Sequence, residues 1–141
     1  MNTFSIELKK DQVLCREGDL ETDLYVVLHG KLLVCVRKGT QVTAMATLGT
    51  GEYIGELSFF DNLPRGADIV ALEPCKLAKI PATEIRQNFP IWIHILGKTL
   101  TKKLRLHDDV IRKNGVKKAK AETIKPLSIE EQRHYHKILT T

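Results

Sequence analysis

The residues best suited to chemistry lie in one segment, positions 49–68. Glu56 follows Gly55 directly, and Arg65 precedes Gly66. A guanidinium can hold two oxygens of a phosphate at once, whereas a carboxylate accepts hydrogen bonds from hydroxyl groups. Two negative charges about 4 Å apart repel by about 4 kcal/mol at an effective dielectric constant of 20, so Glu56 must face a part of the ligand other than its anion. These residues predict a small ligand that carries both a sugar hydroxyl and a phosphate.

Glycines in this segment allow a ligand to approach the main chain. Gly49, Gly51 and Gly55 permit positive φ angles and place no β-carbon in the way. Residues 56–60, ELSFF, can form one helical turn whose first N–H groups have no internal partner and point towards an anion. We expect Glu56 to bind a ribose hydroxyl and also to pair with Arg65, which holds the guanidinium in place. The alternative is a purely structural ion pair between these two residues.

The composition fits one domain with a small appendage. The chain has 141 residues, of which 43% are hydrophobic, and this length excludes a second large domain. The N-terminus has no apolar signal region, and no apolar run approaches the roughly 18 residues that span a membrane. Cys15, Cys35 and Cys75 form no CxxC pair and lie among apolar neighbours. We therefore expect buried free thiols, a cytoplasmic location, no metal site and no membrane partner.

The basic charge is concentrated in the C-terminal third of the chain. The formal net charge is +5, and residues 98–120 contain nine Lys or Arg but only two acids, Asp108 and Asp109. No aromatic side chains lie among these charges to stack on bases. A solvated helix face and linker are therefore favoured, and nucleic-acid binding is the less favoured alternative.

Up to about residue 80, short β-branched runs alternate with turn residues. The predicted strands cover residues 23–28, 31–37, 41–48, 67–72 and 75–80. Close spacing of this kind predicts a small antiparallel barrel or β-roll. One face of such strands can be buried while a concave interior stays open to a ligand.

After Pro81 the hydrophobic pattern takes a helical period. Helices are predicted over residues 82–88, 90–113 and 129–139, with a linker over 116–126. In the long helix, apolar residues recur at every fourth position: Trp92, Leu96, Leu100 and Leu104. Asn114-Gly115 ends this helix, and Ser128 with Glu131 forms a capping box before the last one. The predicted organisation is one domain over 1–113 and a basic linker with a short helix over 114–141.

A family resemblance rests on the same segment. GELS (55–58) followed by PRGA (64–67) closely resembles the phosphate-binding cassette of cyclic nucleotide-binding domains. That family includes the regulatory subunits of cAMP-dependent kinase, the bacterial catabolite activator protein and nucleotide-gated channels. The resemblance extends over about residues 4 to 112 through further framework positions: Gly18-Asp19, Asp23-Leu24-Tyr25, Gly30, Leu48-Gly49 and Gly51-Glu52. The resemblance implies a mainly β fold with helices: an antiparallel, jelly-roll-like β-roll (a double-stranded β-helix) with flanking helices and a C-terminal lid helix.

The resemblance also implies a role for individual residues. Glu56 would bind the ribose 2′-hydroxyl, and Arg65 the equatorial oxygens of the cyclic phosphate. N–H groups near Ser58, Gly66 and Ala67 would complete the cradle, within a binding segment that also includes Gly55, Leu57 and Pro64. Apolar contacts to the base and sugar would come from Val34, Met45 and Leu48, while Leu104, His107 and Asp108 of the lid helix would reach the purine. Phe59, Phe60, Tyr25 and Trp92 are interpreted as packing residues.

Two positions depart from the family pattern. Gly66 stands where alanine, serine or threonine is usual, and the loss of a hydroxyl argues against cGMP. Asp68 adds an acid near the site. Its side chain points away from the phosphate if the strand alternates, and it lowers affinity if it points inward.

The expected function is a stand-alone receptor module for a cyclic nucleotide, with cAMP favoured over cGMP. No nucleophile, base or metal set suggests catalysis, and no cofactor is expected. Binding would move the 90–113 helix, which would then signal to an unknown effector protein or form a homodimer. The alternative is a β-roll of the same fold that serves as a protein-interaction scaffold and binds no nucleotide.

Overall fold

The computed structural model describes residues 3–114 and 128–139. The strands are β1 (Phe4–Leu8), β2 (Val13–Cys15), β3 (Leu24–His29), β4 (Leu32–Lys38), β5 (Gln41–Leu48), β6 (Tyr53–Ile54), β7 (Asp68–Ala71) and β8 (Cys75–Ile80). The helices are α1 (Glu56–Asp61), α2 (Ala82–Asn88), α3 (Ile91–Asn114) and α4 (Ile129–Leu139). The chain divides into two compact units, Met1–Arg105 and Leu106–Thr141.

The first unit contains two four-stranded antiparallel sheets. Their strand orders are β1-β8-β3-β6 and β2-β7-β4-β5. Phe4 pairs with Lys79 in one sheet and Val13 with Val70 in the other, so each sheet joins an early strand to a late one. The antiparallel β-roll is therefore confirmed. All five predicted strands are present, whereas β1, β2 and β6 were not predicted.

The main core is built from alternating strand residues. In β3, for example, Tyr25 and Val27 are buried, while Leu28 at the end of the strand is exposed. The cluster comprises Leu8, Cys15, Tyr25, Val27, Leu32, Ile54, Ile69, Ala71, Cys75 and Leu77. All three cysteines are buried free thiols, as predicted. Burial raises the pKa of the Cys15 thiol to about 11.

The two short helices of the first unit have defined ends. α1 follows Gly55, whose φ of 89° is left-handed, and it ends at Asn62, whose φ is 59°. α2 begins at Ala82, whose N–H donates to the Asp23 carboxylate at 2.8 Å. Asp23 therefore accepts a hydrogen bond from the first N–H of a helix that begins 59 positions later in the sequence.

The capping box predicted for α4 is confirmed. The Ser128 N–H donates to the Glu131 carboxylate at 2.7 Å, and the Glu131 N–H donates to the Ser128 hydroxyl at 3.2 Å. The predicted linker over 116–126 and the helix end at Gly115 lie outside the described residues. The domain boundary at residue 113 stays a prediction. Within the described ranges, no helix is long and apolar enough to cross a membrane.

The apolar positions of α3 remain exposed. Trp92 is 62% exposed, and Leu96, Leu100 and Leu104 are 51%, 50% and 50% exposed. The interpretation of Trp92 as a packing residue is wrong, because the side of α3 that is buried carries small residues, Gly97 and Thr101.

Candidate functional site

Arg65 is buried with an incomplete set of hydrogen-bond partners. The residue is 4% exposed. Its Nη2 donates to the Asp23 carbonyl at 2.6 Å and to the Glu21 carboxylate at 3.3 Å. Its Nε and Nη1 are buried and have no partner in the described part of the chain. A buried donor without an acceptor costs about 1–3 kcal/mol, so an anion that supplied acceptors here would be strongly favoured.

The main chain of Arg65 is held by the turn at Gly18 and Asp19. The Arg65 N–H donates to the Asp19 carbonyl at 2.8 Å, and the Gly18 N–H donates to the Arg65 carbonyl at 2.8 Å. Gly18 has a φ of 91°, a conformation that favours glycine. This dipeptide, which the family resemblance included as framework, therefore positions the arginine.

Gly55 lies directly against the guanidinium. A β-carbon at this position would lie 1.8 Å from Nη1 of Arg65 and 2.7 Å from its Cζ, so no other residue fits without displacement of the arginine. Glu56 follows as the first residue of α1 and is exposed. The structure thus brings Arg65 and the start of α1 together, and the exposed carboxylate of Glu56 lies next to the point of contact.

The acidic partner of Arg65 is Glu21, which the sequence analysis missed. Glu21 Oε2 lies 3.3 Å from Arg65 Nη2, while its Oε1 accepts hydrogen bonds from Lys79 Nζ at 2.8 Å and from the Tyr25 hydroxyl. The predicted pairing of Glu56 with Arg65 is wrong: in the described residues, the ion pair of this arginine is with Glu21. The reason is that the segment before β3 already holds the guanidinium through a carbonyl, and Glu21 belongs to that segment.

Lys79 and Tyr25 complete a cluster around Glu21. The centroid of the Tyr25 ring lies 5.8 Å from Arg65 Cζ and 5.7 Å from Lys79 Nζ. Lys79 also pairs with Asp23 at 2.9 Å. The hydrogen bond to Glu21 raises the pKa of Lys79, and burial followed by the hydrogen bond to Glu21 raises the pKa of Tyr25. Two carboxylates formally balance two cationic side chains in this cluster.

Asp68 is compensated by Arg37. Its buried carboxylate accepts hydrogen bonds from Arg37 Nε at 2.6 Å and Nη2 at 2.9 Å, and from the Glu17 N–H at 3.0 Å. The hydrogen bond from Arg37 holds the pKa of Asp68 below its usual range. The sequence did not determine which way the Asp68 side chain points. In the structure its carboxylate forms an ion pair with Arg37 of β4.

The remaining cassette residues lie on either side of Arg65. Ser58 is buried and Leu57 is half-buried in α1, Pro64 is exposed, and Gly66 and Ala67 are half-buried before β7. Their roles in binding a ligand stay predictions.

The predicted base-lining residues lie on β4 and β5. Val34 and Leu48 pack against the main core. Met45 is the extra residue of a bulge in β5, because Val34 pairs with Ala46 and Cys35 with Ala44. Their contact with a base likewise stays a prediction.

Of the predicted lid residues, only Leu104 belongs to the first unit. It lines an apolar cavity of about 270 Å³ together with Glu56 and Leu57. His107 and Asp108 belong to the second unit, and their contact with a purine stays a prediction.

Comparison with known proteins identifies the domain family that the GELS and PRGA motifs resemble. The profile of the cyclic nucleotide-binding domain matches residues 5–89. Lysophospholipase nte1 of Neurospora crassa is 31% identical over 116 residues, which are 79% of this chain and 8% of that protein. The cyclic AMP receptor protein of Thermus thermophilus is 34% identical over 96 residues, 65% of this chain and 44% of that protein. The cAMP-bound structure of the EAL enzyme Bd1971 superposes with a TM-score of 0.68 at 28% identity and covers 77% of this chain and 31% of that one. The chain thus spans less than half the length of each of these three relatives.

Proposed function

Because the chain belongs to the cyclic nucleotide-binding domain family, we propose that it binds a cyclic nucleotide, with Arg65 at the phosphate and Glu56 at the ribose. The observation that carries this proposal is the buried guanidinium with two unpartnered donors, Nε and Nη1. Only one other such side-chain atom, Nε of Arg86, occurs in the described residues. A cyclic phosphate would supply the acceptors, and each charge-assisted hydrogen bond contributes about 1.5–3 kcal/mol.

The proposed ligand is cAMP. One relative, the cyclic AMP receptor protein of Thermus thermophilus, supports this choice by its name. The EAL enzyme Bd1971 was solved with cAMP and also with cGMP, so it supports a cyclic nucleotide without distinguishing the two. Gly66 adds to it, since a residue without a hydroxyl provides no extra contact for a guanine nucleotide. Val34, Met45 and Leu48 would line the base and sugar, and N–H groups near Ser58, Gly66 and Ala67 would complete the phosphate cradle.

The proposed output is the exposed face of α3. Large apolar side chains cluster near the start of this helix: Ile91 is 77% exposed, Trp92 62%, Ile95 59% and Leu96 51%. Apolar groups exposed together mark protein-binding surfaces. We propose that the module acts without catalysis and signals through this face to an effector protein or a second copy of the chain. The buried free thiols suit a reducing compartment such as the cytoplasm.

Isothermal titration with a panel of purine and pyrimidine cyclic nucleotides tests the binding proposal. Arg65→Ala should weaken cAMP binding by about 1.5–3 kcal/mol, or about 10- to 150-fold. Arg133→Ala, on the exposed surface of α4, removes the same charge and should leave the affinity unchanged. No heat with any nucleotide at about 100 μM, a binding free energy weaker than about −5.5 kcal/mol, would favour the scaffold alternative.

A further inference from the structure

Helix α3 contacts the cassette helix α1 at two separate points. The first is apolar: a β-carbon on Gly97 would lie 2.2 Å from Cδ1 of Phe60, so the helix approaches this ring as closely as its backbone allows. The second is charged and lies about two turns later. There Arg105 donates from both Nε and Nη2 to the Asp61 carboxylate, with Nη2 at 3.0 Å from Oδ1, and Nη2 also lies 3.4 Å from the Pro64 carbonyl.

The charged contact is largely shielded from solvent. The side chain of Arg105 is 21% exposed and that of Asp61 is 8% exposed. Burial alone would raise the pKa of Asp61, but the hydrogen bonds from Arg105 and from the Leu63 N–H outweigh it and hold that pKa below its usual range. A shielded pair with two parallel hydrogen bonds is screened less by salt than a surface pair, and loss of one partner leaves a buried charge uncompensated.

Gly66 leaves the space that Arg105 occupies. A β-carbon at Gly66 would lie 3.3 Å from Nη1 of Arg105, which is tighter than an ordinary contact. Gly66 is not among the glycines of positive φ, so the backbone itself does not require glycine. The departure from the family pattern at this position therefore coincides with an arginine that reaches across from α3.

An apolar cavity runs along α3 beside these contacts. Its volume is about 270 Å³, and its lining includes Leu57 of α1 with Leu100 and Leu104 of α3. Leu100 and Leu104 are each 50% exposed, so about half of their apolar surface stays in water and apolar packing alone holds this part of the helix weakly. The charged contact at the end of the cavity accordingly carries much of the attachment.

We propose that Arg105 is a positioning residue that fastens α3 to residues 61–66, the segment that contains the proposed phosphate-binding Arg65, before any ligand is present. The pair with Asp61 holds the helix, and Gly66 is small so that the pair can form. Any rearrangement of segment 61–66 must then move Arg105 or break its pair, which couples the segment to the helix. The coupling to nucleotide rests on the proposed function, whereas the attachment itself does not.

Hydrogen exchange of the full chain without nucleotide tests the attachment. Arg105→Gln should speed the exchange of amides over 98–104 by about fivefold or more, because local opening of the helix becomes easier. Asp61→Asn should have the same effect, and the double variant should exceed neither single variant, because all three remove one interaction. Lys102→Gln removes the same charge from an exposed position of the same helix and should change nothing. Unchanged rates in Arg105→Gln, or additive effects in the double variant, would overturn the proposal.

Two further measurements separate this proposal from the proposed function. Gly66→Thr, which keeps both charges, should loosen the same amides as Arg105→Gln does; wild-type rates in this variant would count against the role of Gly66. Addition of cAMP should change exchange over 98–104 in the wild type and not in Arg105→Gln. If no cyclic nucleotide binds at all, the proposed function fails, yet the nucleotide-free rates still decide whether Arg105 fastens the helix. Circular dichroism of each variant shows whether the β-roll is intact.

Discussion

Replacing Glu21 with glutamine should tighten the binding of a cyclic nucleotide. Its carboxylate accepts hydrogen bonds from Arg65 Nη2, Lys79 Nζ and the Tyr25 hydroxyl. Glutamine has nearly the same size and keeps one acceptor oxygen for these donors, but it removes the negative charge next to the proposed anion site.

The size of the effect follows from the geometry of the guanidinium. A phosphate bound to the side of Arg65 opposite Glu21 would lie about 6–7 Å from that carboxylate, where two negative charges repel by about 2–3 kcal/mol at an effective dielectric constant of 20. The Glu21 side chain is 34% exposed, so solvent screens much of this repulsion. We expect about 1 kcal/mol to remain, which corresponds to about fivefold tighter binding.

Isothermal titration with cAMP measures this change, and Glu7→Gln is the matched control. Glu7 is exposed on β1, so its replacement removes one negative charge away from the cluster. The gain of Glu21→Gln should shrink between about 0.1 M and about 1 M salt, since the Debye length falls from about 10 Å to about 3 Å. Weaker binding by Glu21→Gln would refute the reasoning, because it would mean that Glu21 aligns Arg65 for the ligand rather than competing with it.

Three further results are expected. Gly55→Ala should lower the free energy of unfolding by more than about 2 kcal/mol in urea titrations, because a β-carbon there collides with Arg65 and the φ of 89° is strained for alanine; a smaller loss would mean that the arginine moves aside freely. The pKa values of Asp68 and Asp61 are lowered in the folded protein, so these residues add stability above the ordinary aspartate pKa of about 3.9. This stability is lost as the pH falls through the folded pKa values, so the urea midpoint of unfolding should drop below about pH 4. A urea midpoint that stays constant there would contradict the ion pairs. Cys15, with a pKa raised to about 11 by burial, should not react with a thiol reagent at pH 8 until the chain unfolds, and fast labelling of the native protein would show that the core opens readily.

Local patterns in the sequence were sufficient to predict most of the β-roll. The runs that became β3, β4 and β8 are short, apolar and rich in strand-forming residues, and turn residues bound them, so their type and limits follow from local composition. The capping residues Ser128 and Glu131 likewise act over three positions, and their contacts formed as predicted. β2 and β6 have three and two residues, which is too short for any period, and they exist because longer strands pair with them.

The contacts that hold Arg65 and Arg105 could not be predicted, because they join distant parts of the chain. Glu21 and Arg65 are 44 positions apart, as are Asp61 and Arg105. Nothing in the local sequence distinguishes Glu21 and Asp61 from solvated acids. Glu56 lies next to a glycine in a recognisable motif, so the ion pair with Arg65 was predicted for Glu56, although Glu21 makes it. Proximity of opposite charges is a property of the fold rather than of spacing.

Periodicity also predicted the existence of α3 correctly but not its buried side. The repeat of apolar residues at Trp92 and Leu96 is helical, and such a stripe ordinarily faces a core. In the structure Gly97 is the point of closest approach, because the absence of a side chain lets the Phe60 ring reach the helix backbone. A small residue can determine a helix contact without contributing to a hydrophobic pattern.

The pairing of early strands with late ones also affects the order of folding during synthesis. Phe4–Leu8 has no partner until Cys75–Ile80 has left the ribosome, because these strands lie side by side in one sheet. The chain must therefore close a loop of about 70 residues before β1 can form its backbone hydrogen bonds with β8. Closing a loop of this length has an appreciable entropic cost. A shortened variant that stopped before residue 75 would keep a free strand edge along β3, and free edges of this kind promote association between chains.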